Sequence, residues 1–333
     1  MTSKQRGLRA LAITTLVASA ALTGLVQAQT PAKGNYPTRT ITLIVPTAAG
    51  GTTDISARML ALPLGAALGQ TVIVDNRGGG NGAIAAVAVK RAEPDGYTLL
   101  MQYSGYHVIT PLVSKTPLQW EAKDLQPVAN VISAPQVIVV RASLPVKTMA
   151  ELIAYAKANP GKLNYASSGN GSLQHVTGAM LEQQTGIQMI HIPYKGTGPA
   201  LQDLLGGQVD LTFGTPPPFM AHIQSGKLRA LAITGKVRLT SLPDVPTTAE
   251  AGLPKLDASS WFAVFAPAKT PKPIVEQLSA EIAKLAGTPA FKQKAIEQGA
   301  AVDYMNPQQL TDFSQAELAR WALVVKASKI EAD

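Results

Sequence analysis

Apolar and polar positions alternate with two different periods from residue 41 onward. Short runs of β-branched and other apolar residues, of which Ile41–Val45 is the first, predict buried strands. Between these runs lie segments such as 54–68, where Ile55, Met59 and Leu62 recur at helical spacing. Strands that alternate with helices predict parallel sheets with helices on both faces.

The alternation occurs in two blocks and predicts two lobes. The first block contains strands at 41–45, 71–74 and 97–103. The second begins with a helix near residue 148 and includes a helix at 173–185 and strands at 211–214 and 230–234. Two extended segments, 125–131 and 136–140, join the blocks, and a helical tail folds back on the first. We therefore expect an α/β protein with lobe 1 at residues 36–132 and 256–333, lobe 2 at residues 133–255, and a ligand cleft between the lobes.

The apolar stretch at residues 10–25 differs from the later ones because Lys4, Arg6 and Arg9 precede it. Small residues at Val26 and Ala28 match the positions that signal peptidase reads, so residues 1–28 are predicted to be a cleaved export signal. A transmembrane anchor is the alternative, but the stretch is short and no basic cluster follows it. The chain has no cysteine, which excludes a lipidated signal and a disulfide framework.

Charge argues against a nucleic-acid partner. Removal of the predicted signal lowers the formal net charge from +8 to +5, and the remaining basic residues are scattered without interleaved aromatic residues. A small positive field of this kind suits capture of an anionic solute.

The first candidate site follows the strand Ile41–Val45. Pro46, a small-residue loop with Gly50 and Gly51, and the start of a helix at Asp54 come in that order. A strand, a glycine loop and a helix start leave backbone N–H groups that can bind an anion. A second loop, 167–172, also lies between a strand and a helix that Ser172 can cap. Two such loops on different lobes suit a ligand with a carboxylate at each end.

Competing chemistries fit less well. Gly78, Gly80 and Ala83 match a dinucleotide fingerprint in spacing, but no acidic residue follows at the required distance. No nucleophile elbow and no histidine pair with metal-binding spacing occur in the sequence, so we predict no enzyme activity, no cofactor and no metal. His175, in the first turn after Ser172, is expected to pack or to fix its loop by a hydrogen bond.

The order of the motifs resembles the periplasmic receptors of tripartite tricarboxylate transporters, the Bug family. The resemblance covers nearly the whole mature chain. Its segments are Val45–Asp54, Val74–Arg77, Glu93–Leu99, Ser168–Ser172 with His175, His191–Gly196, Gly207–Asp210 and Trp261–Phe262. It implies a type II periplasmic binding protein fold, with two α/β lobes and two crossovers between them.

The resemblance also implies the residues that bind a carboxylate. They are Thr47, Ala49, Gly50, Gly51 and Asp54 on one lobe, and Ser168, Asn170, Gly171, Ser172 and Thr215 on the other. Asp54 is expected to order the loop or a water, since a carboxylate repels an anionic ligand. The family often has an acid or amide where Thr215 stands, and Thr215 carries no charge, so an amino-acid ligand is disfavoured.

The expected function is capture of a small di-, tri- or aromatic carboxylate in the periplasm for delivery to membrane subunits of a tripartite tricarboxylate-type transporter. The protein is expected to act as a monomer without a nucleic-acid partner. Two alternatives stay open: a ligand-presenting partner of a sensor kinase, and an exported α/β enzyme.

Overall fold

The computed structural model describes residues 36–115 and 117–328, with side chains as far as residue 326. The predicted signal peptide lies outside the described residues. The described strands are β1 (Ile41–Val45), β2 (Val72–Asn76), β3 (Thr98–Tyr103), β4 (Leu125–Pro135), β5 (Val137–Arg141), β6 (Asn164–Ser167), β7 (Ile190–Pro193), β8 (Leu211–Gly214), β9 (Leu228–Ile233), β10 (Ser259–Pro267) and β11 (Ala301–Met305).

Helices fill most of the intervals between the strands. The described α-helices are α1 (Thr52–Leu68), α2 (Ala83–Lys90), α3 (Thr110–Val113), α4 (Met149–Ala158), α5 (Leu173–Thr185), α6 (Thr197–Leu205), α7 (Met220–Gln224), α8 (Lys272–Gly287), α9 (Pro289–Glu297) and α10 (Pro307–Ser328). Glycine sets the ends of the two longest site helices, because Gly69 after α1 and Gly186 after α5 both adopt the left-handed conformation, with φ of 68° and 69°.

Two separate sheets organise the described part of the chain. The six-stranded sheet has the order β11-β4-β10-β3-β1-β2, and the five-stranded sheet has the order β7-β6-β8-β5-β9. Strands β1, β2 and β3 pair in parallel, as do β6, β7 and β8, whereas β10, β11, β5 and β9 pair antiparallel with their neighbours. We call the six-stranded sheet with its helices the first lobe and the five-stranded sheet with its helices the second lobe.

Two chain segments cross between the sheets. Strand β4 belongs to the first sheet and β5 to the second, with Gln136 as the single residue between them, and the return path connects β9 to β10. The N–H of Gln136 donates to Thr234 Oγ1 at 2.9 Å, and the N–H of Thr234 donates to the Gln136 carbonyl at 2.9 Å. The two crossovers therefore lie side by side and are hydrogen-bonded to each other between the sheets.

The structure corrects the predicted elements at several places. The strand predicted to end at residue 131 continues to Pro135, because β10 supplies pairing partners along its whole length. A π-helical turn, Gly105–Ile109, follows β3 after one residue and had not been predicted. Strand β11, which pairs with β4, had not been predicted either. The strand predicted at 230–234 begins two residues earlier, at Leu228, because β5 provides a partner there. The lobe boundaries at 132/133 and 255/256 stay predictions.

Candidate functional site

A narrow cavity lies between the lobes, at the carboxyl ends of β1 and β6. It has a volume of about 20 Å³, which is room for about one water molecule. None of its lining side chains is charged. The lining residues are Thr47, Gly51, Thr52, Thr53, Tyr103, Gln136, Ser168, Gln174, Thr197, Thr215, Ser260 and Phe262.

The N-terminus of α1 opens onto this cavity. Its N-cap residue, Gly51, has no side chain that could accept a hydrogen bond from the first turn. The N–H of Ile55 is the first to bond back, to the Gly51 carbonyl at 2.9 Å. The N–H groups of Thr52, Thr53 and Asp54 therefore lack partners inside the helix and form a positive end that attracts an anion.

The Asp54 carboxylate stabilises the first loop by accepting hydrogen bonds. Its Oδ2 accepts the N–H of Gly50 at 3.0 Å, and its carboxylate accepts Arg58 Nε at 3.0 and 3.1 Å. Arg58 also donates to Asn76 Oδ1, and Asn76 Nδ2 donates to the Thr47 carbonyl at 3.1 Å. Burial raises the pKa of the Asp54 carboxyl, but the hydrogen bonds from Arg58, Gly50 and Asn76 outweigh it, and the net shift is downward. The carboxylate is therefore ionised and occupied in holding the loop.

Three buried polar atoms at the cavity wall have no hydrogen-bond partner within the described part of the chain. They are Thr47 Oγ1, Gln136 Oε1 and Ser168 Oγ. Their side chains belong to residues that are at most 4% exposed. Because an unpaired buried polar group costs roughly 1–3 kcal/mol, such a cluster indicates groups that a ligand or bound water would satisfy.

Most backbone donors of the second glycine loop, 167–172, and of the helical turn after it are already paired with other groups of the protein. The N–H of Ser168 donates to Gln174 Oε1, and that of Gly169 donates to Ser167 Oγ at 3.1 Å. The N–H of Gly171 donates to His175 Nδ1 at 3.1 Å. The N–H groups of Ser172, Leu173 and His175 donate to the Gly169 carbonyl, Tyr103 Oη and Ser172 Oγ, respectively. This loop therefore presents side chains rather than backbone N–H groups to the cavity.

Two histidines hold the second loop in shape. The rings of His175 and His191 stack with centroids 4.0 Å apart and planes inclined by 4°. Nε2 of His191 lies 2.6 Å from Ser167 Oγ. Burial, followed by the charge of His175, lowers the pKa of His191 to about 3. The hydrogen bond from Gly171 to His175 confirms the expectation that this histidine fixes its loop.

A third helix N-terminus reaches the cavity from the second lobe. Helix α6 begins at Thr197 after Gly196, which has a φ of 122° and makes no side-chain cap. The first-lobe loop approaches it closely, because the N–H of Ala48 donates to the Lys195 carbonyl at 3.1 Å. A Cβ atom on Gly198 would overlap the carbonyl oxygen of Ala49, so only glycine permits this approach.

The structure brings only part of the predicted site together. Thr47, Gly51, Ser168 and Thr215 line the cavity, and Thr215 Oγ1 donates to Thr52 Oγ1 at 2.6 Å across the lobes. The other predicted residues do not line it; these are Ala49, Gly50, Asp54, Asn170, Gly171 and Ser172. Ligand contact by these six stays a prediction without support from the cavity geometry.

Sequence reasoning missed the polar residues that only the fold gathers. Gln136 and Ser260 come from the two crossovers and bond to each other at 2.8 Å, and Gln174 Nε2 donates to Thr197 Oγ1 at 3.0 Å. Thr52, Thr53 and Phe262 complete the missed set. One signal was readable: Gly196-Thr197-Gly198 follows a strand and opens a helix, as the two recognised loops do.

Two classes of feature are absent from residues 36–115 and 117–328. No three His, Asp or Glu side chains there converge to hold a metal ion. No helix in the same ranges combines the length and hydropathy needed to cross a bilayer.

Comparisons with known proteins give the site its context. The chain is 39% identical over 311 residues to the protein BugT of Bordetella pertussis. This alignment covers 93% of this chain and 94% of BugT. The structure of the periplasmic binding protein BugD matches with a TM-score of 0.85 at 36% identity, over 90% of this chain and 100% of BugD. An R. palustris protein solved with adipate matches with a TM-score of 0.86 at 38% identity, over 89% of this chain and 99% of that protein.

These matches identify the fold as that of type II periplasmic binding proteins, with two α/β lobes, a cleft and two crossovers. The model of one family aligns with residues 56–330, which is most of the chain and covers parts of both lobes. The chain therefore belongs to the tripartite tricarboxylate transporter family receptors.

Proposed function

We propose that this protein is a periplasmic solute receptor that captures a small organic carboxylate and delivers it to the membrane subunits of a tripartite tricarboxylate-type transporter. The relative solved with adipate supports the ligand class, and membership of the receptor family supports the role. A monomeric receptor, exported by cleavage after about Ala28, completes the proposal.

The observation that carries the proposal is the set of unpaired hydroxyls beside an uncapped helix start. Thr47 Oγ1 and Ser168 Oγ lie on opposite lobes, and both can donate to one anionic group. The uncapped N-terminus of α1 adds backbone N–H groups from the first lobe. A carboxylate accepts through two oxygens and matches such a donor set, whereas a cation finds no carboxylate in the cavity wall.

The absence of acidic wall residues also disfavours an amino-acid ligand. Thr215 stands where an acid or amide is common in the family, and its hydroxyl already donates to Thr52 Oγ1 at 2.6 Å. An ammonium group would enter a cavity whose described wall provides neutral groups only. Its desolvation would therefore remain uncompensated by an opposite charge.

A hydrolase is the enzyme alternative, and the geometry gives it little support. Ser167 Oγ lies 2.6 Å from His191 Nε2, which resembles a nucleophile and its base. However, Ser167 is 0% exposed, and its hydroxyl also accepts the N–H of Gly169 at 3.1 Å. The pair braces the second loop and does not line the cavity.

Closure around the ligand is expected to involve hinge motion. The cavity of about 20 Å³ is too small for an organic acid. The lobes must therefore move apart for the solute to enter and then close around it. The crossovers at Gln136 and Thr234 are the segments about which such parting would occur.

A thermal-shift screen against succinate, malate, adipate, citrate and benzoate tests the proposal. A carboxylate present at about 100 times its Kd adds roughly 2.7 kcal/mol to the free energy of unfolding and raises Tm. Isothermal titration calorimetry with the best carboxylate then compares T47V and S168A with the wild type. Each variant removes one unpaired hydroxyl and should weaken binding about tenfold.

The control variant is S225A, which removes an exposed hydroxyl on the second lobe and should bind like the wild type. The proposal is wrong if a nucleotide or a sugar raises Tm while no carboxylate does. It is also wrong if T47V and S168A both bind as tightly as the wild type.

A further inference from the structure

Gln174 connects two elements that meet the cavity from the second lobe. It lies in the first turn of α5, is 4% exposed and lines the cavity. Its Oε1 accepts the N–H of Ser168, and its Nε2 donates to Thr197 Oγ1 at 3.0 Å. One amide group thus links the loop 167–172 to the N-terminus of α6.

The backbone determines which way this amide points. The N–H of Ser168 can only donate, so the atom of Gln174 that faces it must be the carbonyl oxygen. The NH₂ group is then left to face Thr197, and the alternative flipped orientation is excluded.

The orientation of the amide fixes the role of the Thr197 hydroxyl. Because Thr197 Oγ1 accepts from Gln174, its own proton is free to be donated to another group. Both backbone groups of Ser168 are hydrogen-bonded. Its N–H donates to Gln174 Oε1, and its carbonyl accepts from the Tyr106 hydroxyl at 2.6 Å. Its Oγ makes no hydrogen bond of good geometry within the described residues, although the Tyr103 and Tyr106 hydroxyls interact with it, and its proton can be donated to a ligand.

We infer that Gln174 is a positioning residue that sets the polarity of the second-lobe half of the site, so that the Thr197 and Ser168 hydroxyls act as donors to the ligand. The proton that each hydroxyl has free to donate matches an acceptor, such as one carboxylate of the solute, better than an ammonium group. This inference rests on the proposed function and assigns to Gln174 and Thr197 the part that the sequence motif had given to Asn170, Gly171 and Ser172.

Isothermal titration calorimetry with adipate and malate tests the inference on five variants. In Q174E, one carboxylate oxygen still accepts the Ser168 N–H. The other oxygen accepts a hydrogen bond from the Thr197 hydroxyl, which is then no longer free to donate to the ligand, and the carboxylate adds a negative charge beside the site. Q174E should therefore weaken binding of the diacids at least about 100-fold. T197V, which leaves the Ser168–Gln174 bond intact, should weaken binding about tenfold, and T197S should restore the affinity that T197V loses.

A double-mutant cycle separates positioning from packing. Q174M keeps the volume of the side chain and removes both amide contacts. If Gln174 acts through Thr197, the double variant Q174M/T197V should bind no more than about twofold more weakly than the weaker single variant. Additive losses, or a Q174E variant that binds like the wild type, would overturn the inference.

The wild type distinguishes this inference from the proposed function. If neither these diacids nor any other carboxylate of the screen binds the wild type, the proposed function fails. If the wild type binds and the cycle shows no coupling, the proposed function stands and the role of Gln174 is rejected. Cooperative thermal unfolding of each variant at a Tm within a few degrees of the wild type confirms that the loop is intact.

Discussion

The two glycine-rich loops of the site follow the same chain order but use their backbones in opposite ways. In the first lobe, Gly51 leaves the start of α1 without a side-chain cap, and Gly51, Thr52 and Thr53 line the cavity. In the second lobe, Gln174, His175 and Ser172 accept the N–H groups around their own loop. One loop offers its backbone to a ligand, and the other offers side chains on a fixed backbone.

The difference shows what a strand–glycine–helix pattern predicts on its own. Such a loop exposes N–H donors only when no nearby side chain accepts them. In the first loop, the Asp54 carboxylate accepts the N–H of Gly50, and Asp54 does not line the cavity. The second loop is flanked by polar residues on both sides, and these compete for its donors.

The largest expected effect comes from the contact between the first loop and α6. G198A would place a methyl group against the Ala49 carbonyl and prevent the two segments from meeting. Carboxylate affinity, measured by isothermal titration calorimetry, should fall at least about 100-fold because both halves of the site are then separated. The control is G287A, at the end of α8, where a Cβ meets no atom within 4 Å. A G198A variant that binds within about threefold of the wild type would contradict the need for this contact.

A smaller effect is expected from the brace of the first loop. D54A removes the acceptor for Gly50 and the partner of Arg58 and should lower the free energy of unfolding by about 1–3 kcal/mol. Affinity should fall about tenfold because the loop loses its order. The control is E276A, which removes an exposed pair with Lys272 on α8 and should cost less than about 1 kcal/mol. Urea unfolding compares the two variants, and equal losses would show that Asp54 has no special role.

Acid should affect the second loop through its histidine pair. His191 stays neutral in the folded protein to a pKa of about 3, whereas an unfolded histidine takes a proton near pH 6.5. The unfolded state therefore binds more protons between these values, and stability falls as pH falls through this window. H191F should flatten this dependence in urea titrations between pH 4 and 7. H222Q, on α7, is the control, and an unchanged slope in H191F would exclude His191 as the source.

The smallest expected effect tests the comparison itself. Asn170 does not line the cavity, so N170A should bind the carboxylate within about threefold of the wild type, whereas S168A loses about tenfold. Isothermal titration calorimetry on the two variants decides whether the second loop contacts the ligand through Ser168 or through Asn170. If N170A loses as much as S168A, the second loop contacts the ligand through Asn170, as the family resemblance implies.

Periodicity was sufficient for most of the fold, and the motif order supplied four of the twelve residues that line the cavity. The strands Leu211–Gly214 and Ile41–Val45 and the helix Leu173–Thr185 were predicted with the bounds that the structure has, because each is a strong local pattern that glycine, serine or proline ends. Strand β11 and the end of β4 were missed or shortened. Their pairing comes from residues more than 100 positions away, which no local pattern shows.

The sequence by itself determined the two α/β lobes, the resemblance to a receptor family and the loop that begins α1, because these depend on local propensity and motif order. Only the tertiary structure decided which donors remain available. Gln136, Gln174 and Thr197 reach the cavity from segments far apart in the chain, and the hydrogen bonds within the second loop occupy its N–H groups. Which buried polar groups are satisfied is a property of three-dimensional neighbours, and sequence spacing alone does not contain it.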